Sequence, residues 1–362
     1  MTRQISIWDE DVAHIPNSWE ELAFTAPTQE IQSAFAKAYT KFKELNGDPG
    51  PYQRIMVSIS GGWDSDVMMD MIERIGYAPG TVYYVFFNTG IEFKATLEHL
   101  DELEGKYGVK IERIPAKMPC AAAVKKYGVP FLSKNISEYI HRLQIHNFKW
   151  EDRPFEELYA EYPHCKAALR WWCDEWGENS QKNISRRPYL KEFMIANPPP
   201  TPISNMCCQK AKKDTAAEWA KAFAPDLNCQ GVRKAEGGQR TTAYSGCFDE
   251  KIGEADKFRP IYWISDADKQ AYTDTYGVCR SRCYTQYGLK RTGCACCPFG
   301  KDFEHELEAA KAYEPALYKV ALDIFGASYE YTRKYKAFRD EMKAKAKAAK
   351  ETPELFKEVR QT

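Results

Sequence analysis

Several features are missing from this chain of 362 residues. It has no run of ~18 apolar residues that would span a bilayer. Its first residues, MTRQISIWDEDVAHIPNSWEELAF, are acidic and lack the apolar stretch of a secretory leader. A cytoplasmic protein with no membrane partner is the expectation. Neither sign of charge is in excess, with 51 Lys plus Arg against 51 Asp plus Glu, so no global field favours nucleic acid or a lipid surface. A phosphate loop ending in Gly-Lys-Ser or Gly-Lys-Thr is absent, as is the Gly spacing of a dinucleotide fingerprint. The 6 histidines show no His-x3-His pair for a metal, and there is no internal repeat. Cysteine is not scarce. In a reducing compartment, 12 cysteines that cluster point to metal or redox chemistry rather than to disulfides.

The stretch Gln53–Gly76, QRIMVSISGGWDSDVMMDMIERIG, organises the rest. Gln53–Ile59 is apolar and β-branched, as in a buried parallel strand, and Asp66–Ile75 sets Val67, Met71 and Ile75 on one helical face. After Ser58, near the strand end, come Ser60-Gly61-Gly62-Trp63-Asp64-Ser65. Two glycines let the backbone approach a ligand, two serines offer hydroxyls, and the next helix aims free N–H groups and its positive dipole end at the loop. These features suit an anion cradle; taken alone they suit equally a tight turn capped by Asp64 or Ser65. Thr81–Phe87 and Val109–Ile114 then read as strands and Lys94–Tyr107 as a helix. Such alternation predicts an α/β fold with a doubly wound, mainly parallel sheet, whose ligands sit beyond the carboxyl ends of the strands. Asn88-Thr89-Gly90-Ile91-Glu92 falls at a second such end, which favours the cradle.

Five segments follow from the pattern: a helical start over 1–50 and a β/α core over 51–115, then a helical insertion over 116–204. A second chemical region occupies 205–300 and a helical tail 301–362. The insertion carries Trp150, Trp171, Trp172 and Trp176, which form either a lid or partner surface or ordinary core. Its basic pairs, Lys125-Lys126 and Arg186-Arg187, would contact phosphates or simply solvent. In the second region Lys210–Phe223 reads as a helix and Leu227–Val232 as a strand, with Ser265–Asp268 suited to capping a helix.

The order of these parts resembles the phosphoadenosine-phosphosulfate (PAPS) reductase family of the PP-loop superfamily, also called adenine nucleotide alpha hydrolase-like. The resemblance rests on the Ser60–Ser65 loop and Asn88-Thr89-Gly90-Ile91-Glu92-Phe93 with Thr96. It continues in Gly231-x-Arg233-x-x-Glu236-x-x-x-Arg240, Pro260-Ile261-x-Trp263, and Tyr284-x-x-x-Gly288-x-x-Arg291-x-Gly293-Cys294-x-x-Cys297-Pro298. It implies a PP-loop core that binds an adenine nucleotide, ATP or PAPS, with its phosphates in the loop after the first strand. Ser58, Ser60, Gly61, Gly62, Trp63, Asp64, Ser65, Asn88, Thr89, Gly90, Glu92 and Gly231 would line that site. Arg233, Arg240 and Arg291 would bind phosphate or sulfate oxygens through guanidinium forks, although each alone also reads as a surface ion pair. The intact Ser-Gly-Gly-x-Asp-Ser resembles the members that cleave ATP between the α and β phosphates. The Glu-Cys-Gly-Ile-His or Glu-Cys-Gly-Leu-His motif of dedicated reductases does not occur, and the last cysteine is Cys297.

Cys294-x-x-Cys297 beside a proline is a chelating turn for zinc or an iron–sulfur cluster. With Cys207-Cys208 it resembles the [4Fe–4S] arrangement of assimilatory adenylyl-sulfate reductases; Cys208, Cys283, Cys294 and Cys297 make a second set. Zinc and buried free thiols are the alternatives. Cys120, Cys165, Cys173, Cys229 and Cys247 read as scattered, mostly core, cysteines. The expected enzyme adenylates an acceptor with release of PPi and couples this to sulfur transfer, with Ser60, Asp64, Ser65 and Arg233 catalytic and Asp64 helping to hold Mg²⁺. The alternatives are a PAPS or APS reductase with an external thiol, and a non-catalytic nucleotide-binding regulatory or defence module. A sulfur or thiol donor protein, a nucleic-acid acceptor and a homo-oligomer remain open as partners.

Overall fold

The computed structural model describes residues 18–43, 50–237 and 243–358. The chain divides into two compact units, one of residues 1–88, 92–115 and 215–293, the other of 89–91, 116–214 and 294–362.

The first unit is built on a six-stranded sheet in the order β3-β2-β1-β4-β6-β5. The strands are β1 Ile55–Ser58, β2 Val82–Asn88, β3 Ile111–Pro115, β4 Leu227–Gln230, β5 Phe248–Asp249 and β6 Asp256–Phe258. All pairings are parallel except β5 with β6. Helices α1 (Trp19–Thr25) and α2 (Gln29–Phe42) precede β1, α3 (Trp63–Ile75) connects β1 to β2, and α4 (Lys94–Tyr107) connects β2 to β3.

Alternation along β2 explains why the sheet is covered twice. Tyr84 and Phe86 join Val67, Met68, Met71 and Ile72 of α3 in one buried cluster. The intervening Tyr83 and Phe87 turn the other way, to Phe223 and Trp219 of the helix Thr215–Phe223. The expected doubly wound α/β sheet is therefore present. Because β1 pairs with β2 on one side and β4 on the other, the chain reverses its winding direction there. The crevice beyond the carboxyl ends of β1 and β4 is where such folds hold ligands.

The second unit is helical and aromatic. Trp171 and Trp172 are buried with Phe131, Phe148, Leu158 and Phe193, so they are core residues. Tyr331 and Tyr335, from the long helix Pro315–Glu358, close the same cluster against Phe131 and Phe193. Tyr331 and Tyr335 thus pack inward, whereas Tyr313 is exposed. Lys125, Lys126, Arg186 and Arg187 are exposed. No helix among the described residues is long and apolar enough to cross a membrane.

Candidate functional site

The loop after β1 is folded around one hydroxyl. Ser65 Oγ accepts from the backbone N–H groups of Ser60 (3.3 Å) and Gly62 (3.1 Å) and donates to the Gly62 carbonyl at 2.7 Å. Ser60 Oγ lies 3.1 Å from it. An anion taking the Gly62 N–H must displace Ser65 Oγ. Gly61 has φ +64, and a Cβ there would stand 2.7 Å from Thr96 Cγ2, so both conformation and space demand glycine. Gly231, just past β4, lets the neighbouring chain pass: its Cβ would stand 3.1 Å from Ser65 Cα.

The α3 helix begins in this loop with Gly62 as N-cap, and the Trp63 N–H donates to Tyr284 Oη at 3.2 Å. A small pocket of about 110 Å³ opens here, lined by Ser60, Gly62, Trp63, Asp64, Gly231, Lys269, Tyr284, Lys290, Arg291 and Thr292. Pockets for whole drug-sized ligands run to ~300 Å³ or more, so this one suits a phosphate rather than an entire nucleotide. Three of its lining side chains are cationic.

Electrostatics around Asp64 depart from the pattern expected of the sequence. Asp64 Oδ1 accepts from Arg233 Nε and from Lys269 Nζ, each at 2.8 Å. Arg233 also donates to Asp266 Oδ1 at 2.7 Å and to the Ile264 carbonyl at 3.2 Å, and its side chain is only 4% exposed. Burial opposes its charge, but Asp64 and Asp266 outweigh burial and hold the guanidinium pKa above its usual value. Lys269 Nζ stands 4.0 Å from the Trp63 ring centre and the Arg280 guanidinium 4.7 Å from it, while Trp63 Nε1 donates to Thr273 at 2.8 Å.

Ser60, Gly62, Trp63, Asp64, Gly231 and Arg291 thus meet at one pocket, and Arg233 reaches it through Asp64. Gly61 and Ser65 shape the loop, and Ser58 ends β1. Asn88 ends β2 and Glu92 belongs to the first unit, whereas Thr89 and Gly90 belong to the second. Arg240 lies outside the described residues. Lys269 was not singled out in the sequence, because a lysine in the first turn of the helix Asp266–Tyr276 carries no local signature.

Thiols gather in the second unit. The thiols of Cys207 and Cys294, with burial, act on that of Cys120, and Cys120 and Cys208 act in turn on Cys207. Cys297 acts on Cys208 through its charge. The two thiol donors beside Cys207 push its pKa down, while the same contacts push Cys120 and Cys208 up. Cys120, read in the sequence as one of the scattered thiols, therefore lies among the chelating pairs. Cys283 belongs to the first unit, buried with Sγ 3.5 Å from Thr96 Oγ1. Among the described residues no group of three or more His, Cys, Asp or Glu converges as the ligands of one metal ion do.

Sheet order and switch-point loop define the class, a doubly wound α/β domain with a cationic pocket at the strand ends. More particularly, residues 54–159 match the phosphoadenosine phosphosulfate reductase domain, so the chain carries a PAPS-reductase-like domain. An uncharacterised protein of Methanocaldococcus jannaschii is 28% identical over 145 residues, which is 40% of this chain and 28% of that protein. The chain thus matches well under half the length of this relative. Among solved structures, PAPS reductase from Candida auris in its phosphate complex aligns with 14% identity and a TM-score of 0.38, covering 76% of this chain and 93% of that one. The U34-tRNA thiolase from Methanococcus maripaludis with its [4Fe–4S] cluster aligns with 13% identity and a TM-score of 0.34, covering 86% and 79%.

Proposed function

We propose that this chain binds ATP at the Ser60–Ser65 loop, cleaves it between the α and β phosphates to adenylate an acceptor, and couples this to sulfur transfer. The observation that carries the reading is the phosphate-sized pocket at the β1–β4 switch point, bordered by Lys269, Lys290 and Arg291. An acceptor atom attacks the α-phosphorus, the bond to the bridging α–β oxygen breaks, and PPi leaves with the electron pair. A sulfur nucleophile then displaces AMP.

In that reaction the chain supplies fixed positive charge where negative charge accumulates, typically the largest catalytic contribution. Arg291 offers a planar fork to the departing PPi, and Lys290 and Lys269 offer point charges. Ser60 and Thr292 add hydroxyls. Asp64 sets the position of Lys269, and Arg233 sets that of Asp64. Asp64 Oδ1 already faces Arg233 and Lys269 at 2.8 Å each, so Oδ2 is the oxygen that would meet Mg²⁺.

For the sulfur half, the contacts among Cys120, Cys207, Cys208 and Cys294, with Cys297 acting on Cys208, offer the soft donors that iron–sulfur clusters and zinc take. Among the described residues they do not converge on a single ion; a [4Fe–4S] cluster is the group read here, with zinc the alternative. Cys207, Cys208, Cys294 and Cys297 would hold it, and such a group would supply sulfur or redox chemistry to the transfer.

The match of residues 54–159 favours a second reading, a reductase releasing sulfite from PAPS with an external thiol. The two part in one experiment. Anaerobically purified protein is incubated with ATP and Mg²⁺, or with PAPS and thioredoxin, and scored for AMP plus PPi and for sulfite. Equal AMP and PPi is the expected result; sulfite without PPi overturns the adenylating reading.

A further inference from the structure

We propose that Arg280 binds the phosphates that extend beyond the pocket, and so makes the site select a nucleoside triphosphate over a monophosphate. The proposal rests on the reading above that ATP occupies the Ser60–Ser65 loop. It adds a residue that no sequence motif marks and that does not itself line the pocket.

The first ground is how Arg280 is held. Its guanidinium stands 4.7 Å from the centre of the Trp63 ring, and Lys269 Nζ stands 4.0 Å from the same centre. Trp63 lines the pocket, so one side chain separates Arg280 from it. The next residue pins the chain. Ser281 is fully buried, donates its hydroxyl to the Ala95 carbonyl of α4 at 3.1 Å, and accepts from the Cys283 N–H at 3.2 Å. The backbone is thus anchored while the charged head rests on an aromatic face, a weaker hold than a charge-assisted hydrogen bond.

The second ground is the company the guanidinium keeps. Elsewhere in this unit Arg74, Arg113, Arg233, Arg259 and Arg282 each face a carboxylate, and Arg54 donates to the Ala224 carbonyl. Among the described residues no Asp or Glu pairs with Arg280, or with Arg291, which lines the pocket. The contrast is local, since Arg282 stands two residues on and meets Glu98. Cations gathered without carboxylates repel one another, and a polyanion relieves that repulsion. Size adds a third ground. About 110 Å³ takes one phosphate, so the other phosphates of ATP lie beyond the lining, where Arg280 offers the planar fork that their oxygens fit.

The test compares the affinities of the full-length protein for ATP and AMP, by equilibrium dialysis with Mg²⁺, in the parent, Arg280→Met and Arg282→Met. Methionine keeps an unbranched stem on the Trp63 ring and removes the charge. Arg280→Met should weaken ATP by about tenfold or more, the usual weight of a charge-assisted hydrogen bond, and leave AMP nearly unchanged. Arg282→Met loses only a surface pair with Glu98 and should match the parent for both nucleotides. A second measurement uses the unsubstituted protein and does not depend on any variant folding. Tripolyphosphate should slow phenylglyoxal modification of Arg280 and Arg291, read by peptide mass spectrometry, and leave that of Arg282 unchanged. ATP bound by a folded Arg280→Met as tightly as by the parent, or ATP and AMP weakened alike, overturns the role of Arg280 while the nucleotide reading stands. Modification of Arg280 that tripolyphosphate does not slow has the same consequence. A parent protein with no affinity for ATP overturns both.

Discussion

His99 Nε2 lies 3.0 Å from Asp66 Oδ2, with both side chains at most 1% exposed, one residue behind the Ser65 hydroxyl that folds the loop after β1. His99 Nδ1 meets Glu102 at 3.0 Å, and Glu102 is half exposed. Burial opposes charge on His99, but Asp66 and Glu102 together outweigh burial and raise its pKa above 6.5. Burial likewise raises Asp66, with His99 opposing in part. The folded pair therefore holds its proton to higher pH than the unfolded chain does.

The sign of the pH dependence follows. A raised His99 contributes stability that is fully present below 6.5 and lost as pH rises through the folded value. A raised Asp66 acts in the same direction, since the folded state is the better proton binder from about 3.8 upward. Urea midpoints measured from pH 5.5 to 9 should fall with rising pH, after correction for the unfolded state's other groups. His99→Gln should flatten the His-linked part above pH 6.5 and lower stability by about 3 kcal/mol, the usual cost of removing one partner of a buried pair. A pH profile unchanged in that variant would remove His99 from the account.

Arg233 tests whether Asp64 must be held. A lysine keeps the charge but cannot serve Asp64, Asp266 and the Ile264 carbonyl together, as the guanidinium does. Misplacement of a loop group by about 1 Å costs ~10²-fold in rate, so Arg233→Lys should lower PPi release by about that factor. Nucleotide affinity, read by equilibrium dialysis, should change much less. An equal loss in both would make Arg233 a direct phosphate ligand instead.

Much of the sheet is legible in the sequence. Lys94–Tyr107 was delimited to the residue, and the first three strands fell within about two residues, because apolar periodicity and Gly punctuation mark both. Gly61 and Gly62 were legible for the same reason, being residues that only a tight loop needs. What stayed hidden depends on long-range pairing. No spacing links Asp64 to Lys269, or Asp66 to His99 thirty-three residues away. Cys120 stayed hidden because sequence rewards paired cysteines, and its partners lie far along the chain. The aromatic insertion was read as lid or core; burial of Trp171 and Trp172 makes those two core.

Gly61 couples loop conformation to packing on α4. At φ +64 with Thr96 Cγ2 at 2.7 Å from the added Cβ, alanine must either shift α4 or flatten the loop. Strain of this kind costs about 1–3 kcal/mol. Gly61→Ala should lower the urea midpoint and weaken ATP binding together, whereas Gly80→Ala, where nothing lies within 4 Å but φ is also positive at +79, should lower stability alone. Matching affinity losses in both would show that the Thr96 contact has no bearing on the site.

Lys269 carries the sharpest consequence of the pocket. It pairs with Asp64, stands over the Trp63 ring and borders the phosphate-sized cavity, so three interactions hold one flexible side chain in place. Charge-assisted hydrogen bonds contribute about 1.5–3 kcal/mol, which corresponds to roughly 10–100-fold in affinity. Lys269→Met keeps the packing on Trp63 and removes the charge, and should weaken ATP by about that factor while leaving AMP nearly unaffected, because AMP lacks the phosphates that the pocket would receive. Raising salt should leave most of the gap between parent and variant for ATP, because Lys269 is buried and screened little. If AMP and ATP weaken alike, Lys269 acts on the nucleoside end, and the polyphosphate must lie elsewhere than between Ser60 and Arg291.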